Sequence, residues 1–336
     1  MRLFGKKIAI LGTGAWGTAL AMCAVHSHHK VTMWSTFPQE IDYMLNNGEN
    51  KVLPGVKVPE EIKFSKDLTF VEDADICIMA VPSFAVSDLA SKIAEYSSED
   101  CTIVNIAKGF EPKTFDRLSL GIKKCLPHNK LVVLSGPSHA EEVARAVPTA
   151  LVSASEDIKA ARMIQDCLSS EILRIYTSTD VAGVELGGAV KNIIALAVGI
   201  CDGMQTGDNT KAALMTRGLK EIADLGIAMG AKKETFAGLT GLGDLIVTCT
   251  SMHSRNRRAG IKIGQGVPVE EAIKQSGTVE GYYATKIARD LSKKYDIEMP
   301  ITDACYRVCY KGLKPEAGLK ELMFRPKKKE IEDTWI

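Results

Sequence analysis

The sequence predicts an α/β protein, with a doubly wound parallel sheet in its N-terminal part and a mostly helical C-terminal domain. Three observations predict this. Short apolar, β-branched runs alternate with amphipathic stretches up to residue 179, the texture of βαβ units. Those runs are almost continuously apolar, as strands covered on both faces are. Beyond residue 180 few such runs remain, and helical periodicity takes over. At ~150 residues per domain, 336 residues suit two domains, divided here as 1–179 and 180–336.

Lys7–Leu11 (KIAIL) is the first predicted strand and Ala15–His26 the helix behind it. Lys30–Trp34 (KVTMW), residues 75–81 (DICIMAV, stopped by Pro82), 102–107 (TIVNIA) and 131–134 (LVVL) continue the sheet. Residues 150–153 and 173–176 are predicted edge strands. Thr179 and Asp180 offer N-caps to Val181–Gly203, which is apolar nearly all round and therefore reads as a buried helix. Helical patterns follow at 210–229, 269–275, 281–295 and 302–310.

Composition removes several function classes. Lysine and arginine number 42 against 41 acidic residues, so a net charge of +1 supplies no global field for nucleic acid or an anionic membrane. Apolar residues at 46% and charged ones at 25% exclude disordered and fibrous chains. A core of this size needs neither disulfides nor a structural metal. Nine cysteines, mostly within apolar runs and without a CxxC, point to a reducing compartment. His26, His28 and His29 read as a solvated loop. Cys305 and Cys309 lie one helical turn apart without a histidine in their segment, so no metal site is expected. MRLFGKK before the uncharged residues 8–25 imitates a secretory leader, but three glycines interrupt the apolar run. The expectation is a cytoplasmic chain without membrane insertion.

Those glycines have a use. Gly12, Gly14 and Gly17, in GTGAWG, directly follow a strand and open a helix. In that order the first makes a tight turn, the second admits a pyrophosphate, and the third lets helix and strand approach. The helix N-terminus then offers free N–H groups to the anion. This makes the N-terminal domain Rossmann-like, with NAD or NADP as cofactor. The acid expected ~20 residues further on to read the ribose is not evident. Ser35, Thr36 and Phe37 follow KVTMW, the first carboxylate is Glu40, and no arginine stands ready for a 2′-phosphate.

Other strand ends carry Val81-Pro82-Ser83, Ala107-Lys108-Gly109 and Ser135-Gly136-Pro137-Ser138, loops expected to converge beyond the carboxyl edge of the sheet. Lys191 is the sole charge between Glu185 and Asp202. It either snorkels to solvent or, if buried, serves as a proton donor and acceptor, with Asn192 orienting it or holding a substrate oxygen. GLGDL follows no strand and reads as a packing loop carrying Asp244, with Thr248 after it. Arg255, Arg257 and Arg258, introduced by Ser254 and interleaved with Asn256, form either a phosphate grip or the solvated basic start of a helix.

Taken together, ILGTGAWGTAL, AKGFE, SGPSHAEEVA, VELGGAVKNIIALAVGICDG, GLGDLIVTCTSMHSRNRRAG and TVEGYYATK resemble the NAD(P)-dependent glycerol-3-phosphate dehydrogenase family of bacterial type, over almost the whole chain. The resemblance implies hydride transfer between the nicotinamide and C2 of dihydroxyacetone phosphate, giving glycerol 3-phosphate for phospholipid synthesis in a homodimer. It implies Lys191 as proton acceptor and donor, and Lys108 as a contact to both substrate and cofactor, its charge depressing the Lys191 pKa if the two converge. Gly136, Ser138, Asp244, Ser254, Arg255 and Asn256 are implied at the substrate. Ala15, Trp16, Ala140, Arg255 and Glu280 are implied at the dinucleotide, with Thr36 on its ribose side where basic or imidazole side chains also occur. A 3-hydroxyacid dehydrogenase and a non-enzymatic NADP sensor are the alternatives.

Overall fold

The computed structural model describes residues 5–327 and 329–330. The chain divides into two compact units, Met1–Glu185 and Leu186–Ile336. In the first, all seven apolar runs form strands, and a short eighth joins them. The order along the chain is β1 (Lys7–Leu11), α1 (Ala15–His26), β2 (Lys30–Trp34), α2 (Pro38–Asn47), β3 (Lys63–Ser65), β4 (Ile76–Met79), α3 (Val86–Ile93), β5 (Thr102–Asn105), α4 (Leu118–Cys125), β6 (Leu131–Ser135), α5 (Ala140–Val143), β7 (Thr149–Ala154), α6 (Ile158–Leu168) and β8 (Leu173–Ser178).

The strands lie in the order β3-β2-β1-β4-β5-β6-β7-β8. Period-two alternation distributes their side chains between two cores. Ile8, Ile10, Ile76 and Ile78 pack with Leu20 and Ala24 of α1 and Ile164 of α6. Ala9, Leu11, Cys77 and Met79 pack on the other face with Leu89 and Ile93 of α3 and Ile122 of α4. That explains why KIAIL and DICIMAV show no polar face. One expectation needs correction: β7 is not an edge strand, because it pairs with both β6 and β8. It runs antiparallel to β6, to which only the four-residue α5 connects it. The full helix α6 then carries the chain over to a parallel β8, as parallel pairing demands.

The second unit is helical. α7 (Val181–Gly203), begun in the first unit, is followed by α8 (Asp208–Ala228), α9 (Lys233–Phe236), a π turn at Leu239–Gly243, α10 (Asp244–Thr250), α11 (Arg255–Gly264), α12 (Val269–Ser276), α13 (Glu280–Lys294), α14 (Pro300–Lys311) and α15 (Pro315–Met323). By length and hydropathy α7 could cross a membrane, yet its apolar window is 94% buried within the protein. α7 and α11 meet backbone to backbone. A Cβ on Gly199 or Gly203 of α7 would run into the carbonyl oxygens of Arg257 or Ile261, and one on Gly260 or Gly264 of α11 into those of Leu196 or Ile200.

The histidine loop is also corrected. His29 is buried, its Nδ1 accepting from the Lys6 N–H at 3.2 Å and its Nε2 lying 2.8 Å from the Cys167 carbonyl. Burial pushes its pKa down, which keeps the ring neutral. All nine cysteines are free and all but the half-buried Cys125 are buried; burial raises Cys23, Cys101, Cys167 and Cys201 to about 11. Among the described residues no cluster of three metal-binding side chains occurs. Of the basic run after Pro326, Lys328 lies outside the described residues.

Glu221 of α8 ties the second unit together. Its carboxyl accepts from the Ile301 N–H at 2.6 Å and from the Thr302 N–H and hydroxyl at 3.1 and 2.9 Å, so it closes the open N-terminus of α14. Burial nevertheless pushes the carboxyl up from 4.5 to about 7, against the lowering by those hydrogen bonds. The folded chain therefore holds this proton to higher pH than the unfolded chain. The resulting stability is complete below about 4.5 and is lost as pH rises through about 7. Urea unfolding of wild type and Glu221→Gln should differ in slope: over this range wild type loses on the order of 3 kcal/mol relative to the variant. Parallel curves would assign the titration to another group.

Candidate active site

The register Leu11–Met79, Met79–Asn105 and Asn105–Val133 aligns the ends of β1, β4, β5 and β6, so the loops after them share one edge of the sheet. Gly12 has φ +127° and donates its N–H to the Trp34 carbonyl at 2.7 Å; a Cβ there would strike the Ala80 carbonyl. A Cβ on Gly17 would come within 2.6 Å of the Gly12 carbonyl, so α1 closes directly onto the turn. Gly14 differs, because nothing lies within 4 Å of where its Cβ would be. It caps α1 with no side-chain hydrogen bond and no acid in the first turn, leaving the first N–H groups at Ala15 and Trp16 open to an anion. A tight turn, an open second glycine and an uncapped helix end are what a dinucleotide pyrophosphate requires, and these residues fit it.

Asn50 is a residue the sequence did not single out. Buried in the turn after α2, it donates to the Thr13 carbonyl and the Thr18 hydroxyl, both at 2.7 Å, and so braces the glycine turn from beneath. No motif surrounds it. Glu40, in the first turn of α2, also reaches back: its Oε2 accepts from the Thr13 hydroxyl at 2.5 Å and the Ser35 hydroxyl at 2.6 Å. Thr36 is exposed.

Further along the same edge, Lys108 donates from Nζ to the Gly136 carbonyl at 3.0 Å, and the Ser138 hydroxyl donates to the same oxygen at 3.1 Å. Gly136 has φ +139°, which a side chain would strain, and a Cβ there would lie a tight 3.2 Å from the Ala150 carbonyl and the Leu151 Cα. Ala140 begins α5 and is buried. Three of the residues singled out in the sequence, Lys108, Gly136 and Ser138, are thus joined directly.

In the second unit Lys191 does not snorkel. It is 4% exposed, and its ammonium is ion-paired with Asp244, itself 1% exposed. Nζ also donates to the Thr248 hydroxyl at 2.6 Å, which in turn donates to the Asp244 carbonyl at 2.6 Å. Asp244 supplies the countercharge that a buried ammonium needs. Gly241 to Gly243 of GLGDL end the π turn and Asp244 starts α10: the Gly243 N–H reaches back to the Gly238 carbonyl at 3.1 Å, and a Cβ on Gly187 of α7 would sit 2.5 Å from the Thr240 carbonyl. That close approach delivers Asp244 to Lys191. Beside Lys191, Asn192 accepts from Asn256 at 3.0 Å, and Asn256 accepts from the Gly281 N–H at 2.8 Å. Glu280, half-buried, starts α13 there.

The three arginines separate. Arg257 pairs with Asp202 at 2.7 Å, and Arg258 donates to the Met252 and His253 carbonyls at 2.7 and 3.2 Å. Ser254 caps α11 by accepting from the Arg257 N–H at 3.2 Å. Arg255 is exposed and makes no hydrogen bond or ion pair among the described residues. Two arginines therefore hold structure, and the third faces solvent.

The glycine turn yields a test. Gly12→Ala puts a Cβ into a carbonyl at positive φ and should lower stability by at least about 2 kcal/mol. Gly14→Ala, with φ −61° and open space, should stay within about 0.5 kcal/mol of wild type in the same urea titration. Equal losses would contradict the division of roles between the two glycines.

Known proteins match this arrangement over both units. The family model described as "NAD-dependent glycerol-3-phosphate dehydrogenase N-terminus" matches residues 7–161, and that described as "NAD-dependent glycerol-3-phosphate dehydrogenase C-terminus" matches 180–320. A glycerol-3-phosphate dehydrogenase [NAD(P)+] of Desulfitobacterium hafniense is 49% identical over 98% of this chain and 94% of its own. The Clostridium perfringens protein of the same name is 50% identical over 97% of this chain and 99% of its own. The crystal structure of glycerol-3-phosphate dehydrogenase from Coxiella burnetii superposes with a TM-score of 0.92 at 39% identity, covering 96% of this chain and all of that one. The chain belongs to the NAD-dependent glycerol-3-phosphate dehydrogenase family.

Proposed function

We propose that the protein catalyses reversible hydride transfer between NAD(P)H and C2 of dihydroxyacetone phosphate, giving sn-glycerol 3-phosphate. The buried Lys191 ammonium, held between Asp244 and Thr248, carries this reading. Full-length similarity to glycerol-3-phosphate dehydrogenases favours it over a 3-hydroxyacid dehydrogenase or a non-enzymatic sensor. The nicotinamide supplies or takes the hydride. Gly12, Gly14, Gly17 and the open start of α1, with Ala15 and Trp16, hold the pyrophosphate. Thr36, Lys108, Ala140, Arg255 and Glu280 complete the dinucleotide site.

As C2 is reduced, negative charge builds on its oxygen, and Lys191 stabilises that charge and delivers a proton from Nζ. In the oxidising direction the same nitrogen takes the proton. Asp244 and Thr248 fix the direction in which Nζ points, and the Asn192–Asn256 pair fixes the helix beside it. Lys108, Gly136, Ser138 and Ser254 line the substrate, whose phosphate is gripped by Arg255. Binding energy at the phosphate orients the distant carbonyl. The product suits glycerophospholipid synthesis in the cytoplasm, and a homodimer is the proposed assembly.

Oxidation of NADH or NADPH dependent on dihydroxyacetone phosphate tests the reading; no turnover with either would end it. Lys191→Met should lower kcat by about 10²–10⁴ while dinucleotide binding persists. Removing one member of a buried pair also costs roughly 3–5 kcal/mol of stability, so rates are compared per folded molecule. Near-normal turnover would remove Lys191 from the chemistry. Arg255→Lys keeps charge but loses the planar fork, so kcat/KM for dihydroxyacetone phosphate should fall at least about tenfold. Unphosphorylated dihydroxyacetone should be far less affected, and a common loss for both substrates would refute the phosphate grip.

A further inference from the structure

We propose that Glu40 makes this dinucleotide site selective for NAD over NADP, by fixing a negative charge where the adenosine ribose hydroxyls lie. The inference rests on the dehydrogenase reading above. β1 and β2 pair in register as far as Leu11 and Trp34, and Gly12 bonds to the Trp34 carbonyl, so Ser35 emerges beside the glycine turn. Pro38 then starts α2, which places Glu40 in its first turn, where the helix dipole favours a carboxylate. From there one carboxylate oxygen, Oε2, accepts both the Thr13 and the Ser35 hydroxyl protons. The carboxylate is thereby anchored to the glycine turn on one side and to the end of β2 on the other.

Two consequences bear on the ribose. Thr13 and Ser35 each have a single hydroxyl proton, both are given to Glu40, and neither remains for a phosphate oxygen. Oε1 accepts no hydrogen bond among the described residues and belongs to an exposed side chain. In this fold a carboxylate at the end of the second strand accepts from the ribose hydroxyls, and an arginine is what accommodates a 2′-phosphate. Residues 35–50 contain neither lysine nor arginine, and Lys66, following β3, is paired with Asp42 at 3.0 Å. A 2′-phosphate, bearing about two negative charges, would meet the Glu40 carboxylate directly.

The test is calorimetric titration of the intact protein with NADH and with NADPH, at 20 mM and 500 mM salt. NADH should bind at least tenfold tighter at low salt, and the preference should narrow at high salt as the repulsion is screened. Glu40→Gln keeps an acceptor oxygen for Ser35 or Thr13 and removes the charge, so the preference should shrink at least tenfold, chiefly through tighter NADPH binding. Equal wild-type affinities, tighter NADPH, a preference indifferent to salt, or an equal change for both dinucleotides in Glu40→Gln would each overturn the proposal. If both bind equally and the reductase assay still turns over, only the role of Glu40 falls. If neither binds wild type, the dehydrogenase reading falls and this inference with it.

Discussion

The backbone-to-backbone contact of α7 and α11 is the constraint on which the helical unit depends. Four missing Cβ atoms, at Gly199, Gly203, Gly260 and Gly264, let the helices approach until glycine faces carbonyl. The same spacing drives close helix pairs in membranes, where small residues four apart form the contact. α7 carries Lys191 and Asn192, and α11 opens with Arg255 and Asn256, so the spacing of the backbone that bears these residues is set by main-chain contact. Gly281 extends the principle to α13, because a Cβ there would run into the Asn192 carbonyl. Side-chain packing alone leaves slack of a few tenths of an ångström; backbone contact removes it where geometry must be held most tightly.

Buried charge is handled in three different ways. Asp244 has a cation, Lys191. Glu185, wholly buried on α7, has the Ser119 N–H and hydroxyl at 2.8 and 2.6 Å and Arg117 at 3.3 Å, yet burial still pushes its pKa up. Glu221 has only a helix end and one hydroxyl. Such arrangements rarely add net stability, since desolvation takes back most of what the contacts contribute. Removing one partner is costly all the same, because it leaves the other charge buried and uncompensated.

Much of this was legible in the sequence, and the limits have physical causes. The strands were visible because runs such as ICIM are apolar on both faces, and the glycine turn because three glycines at that spacing fall between a strand and a helix. Lys191 stood out as a lone charge in an apolar helix and Asp244 as a site carboxylate, but that the two pair across 53 residues and a π turn is announced by no local pattern. The arginine run could not be resolved by spacing, because Asp202 and the carbonyls that claim Arg257 and Arg258 come from elsewhere in the chain. β7 looked like an edge strand for a similar reason: its residues do not record that β8 returns alongside. Glu40 was discounted because it sits past the strand, on the next helix, and only the fold turns it back toward Thr13.

The buried thiols give the molecule a chemical clock. Alkylating and oxidising reagents attack thiolates, and burial holds Cys23, Cys101, Cys167 and Cys201 near 11 and Cys249 near 12, so at neutral pH almost none is present. Covalent damage must therefore wait for the chain to open. The rate at which such a reagent consumes these sulfurs becomes a readout of opening, element by element: Cys77 and Cys101 report the sheet, Cys249 the helix beside Lys191. Cys125, on the short α4, is the one cysteine that is only half-buried.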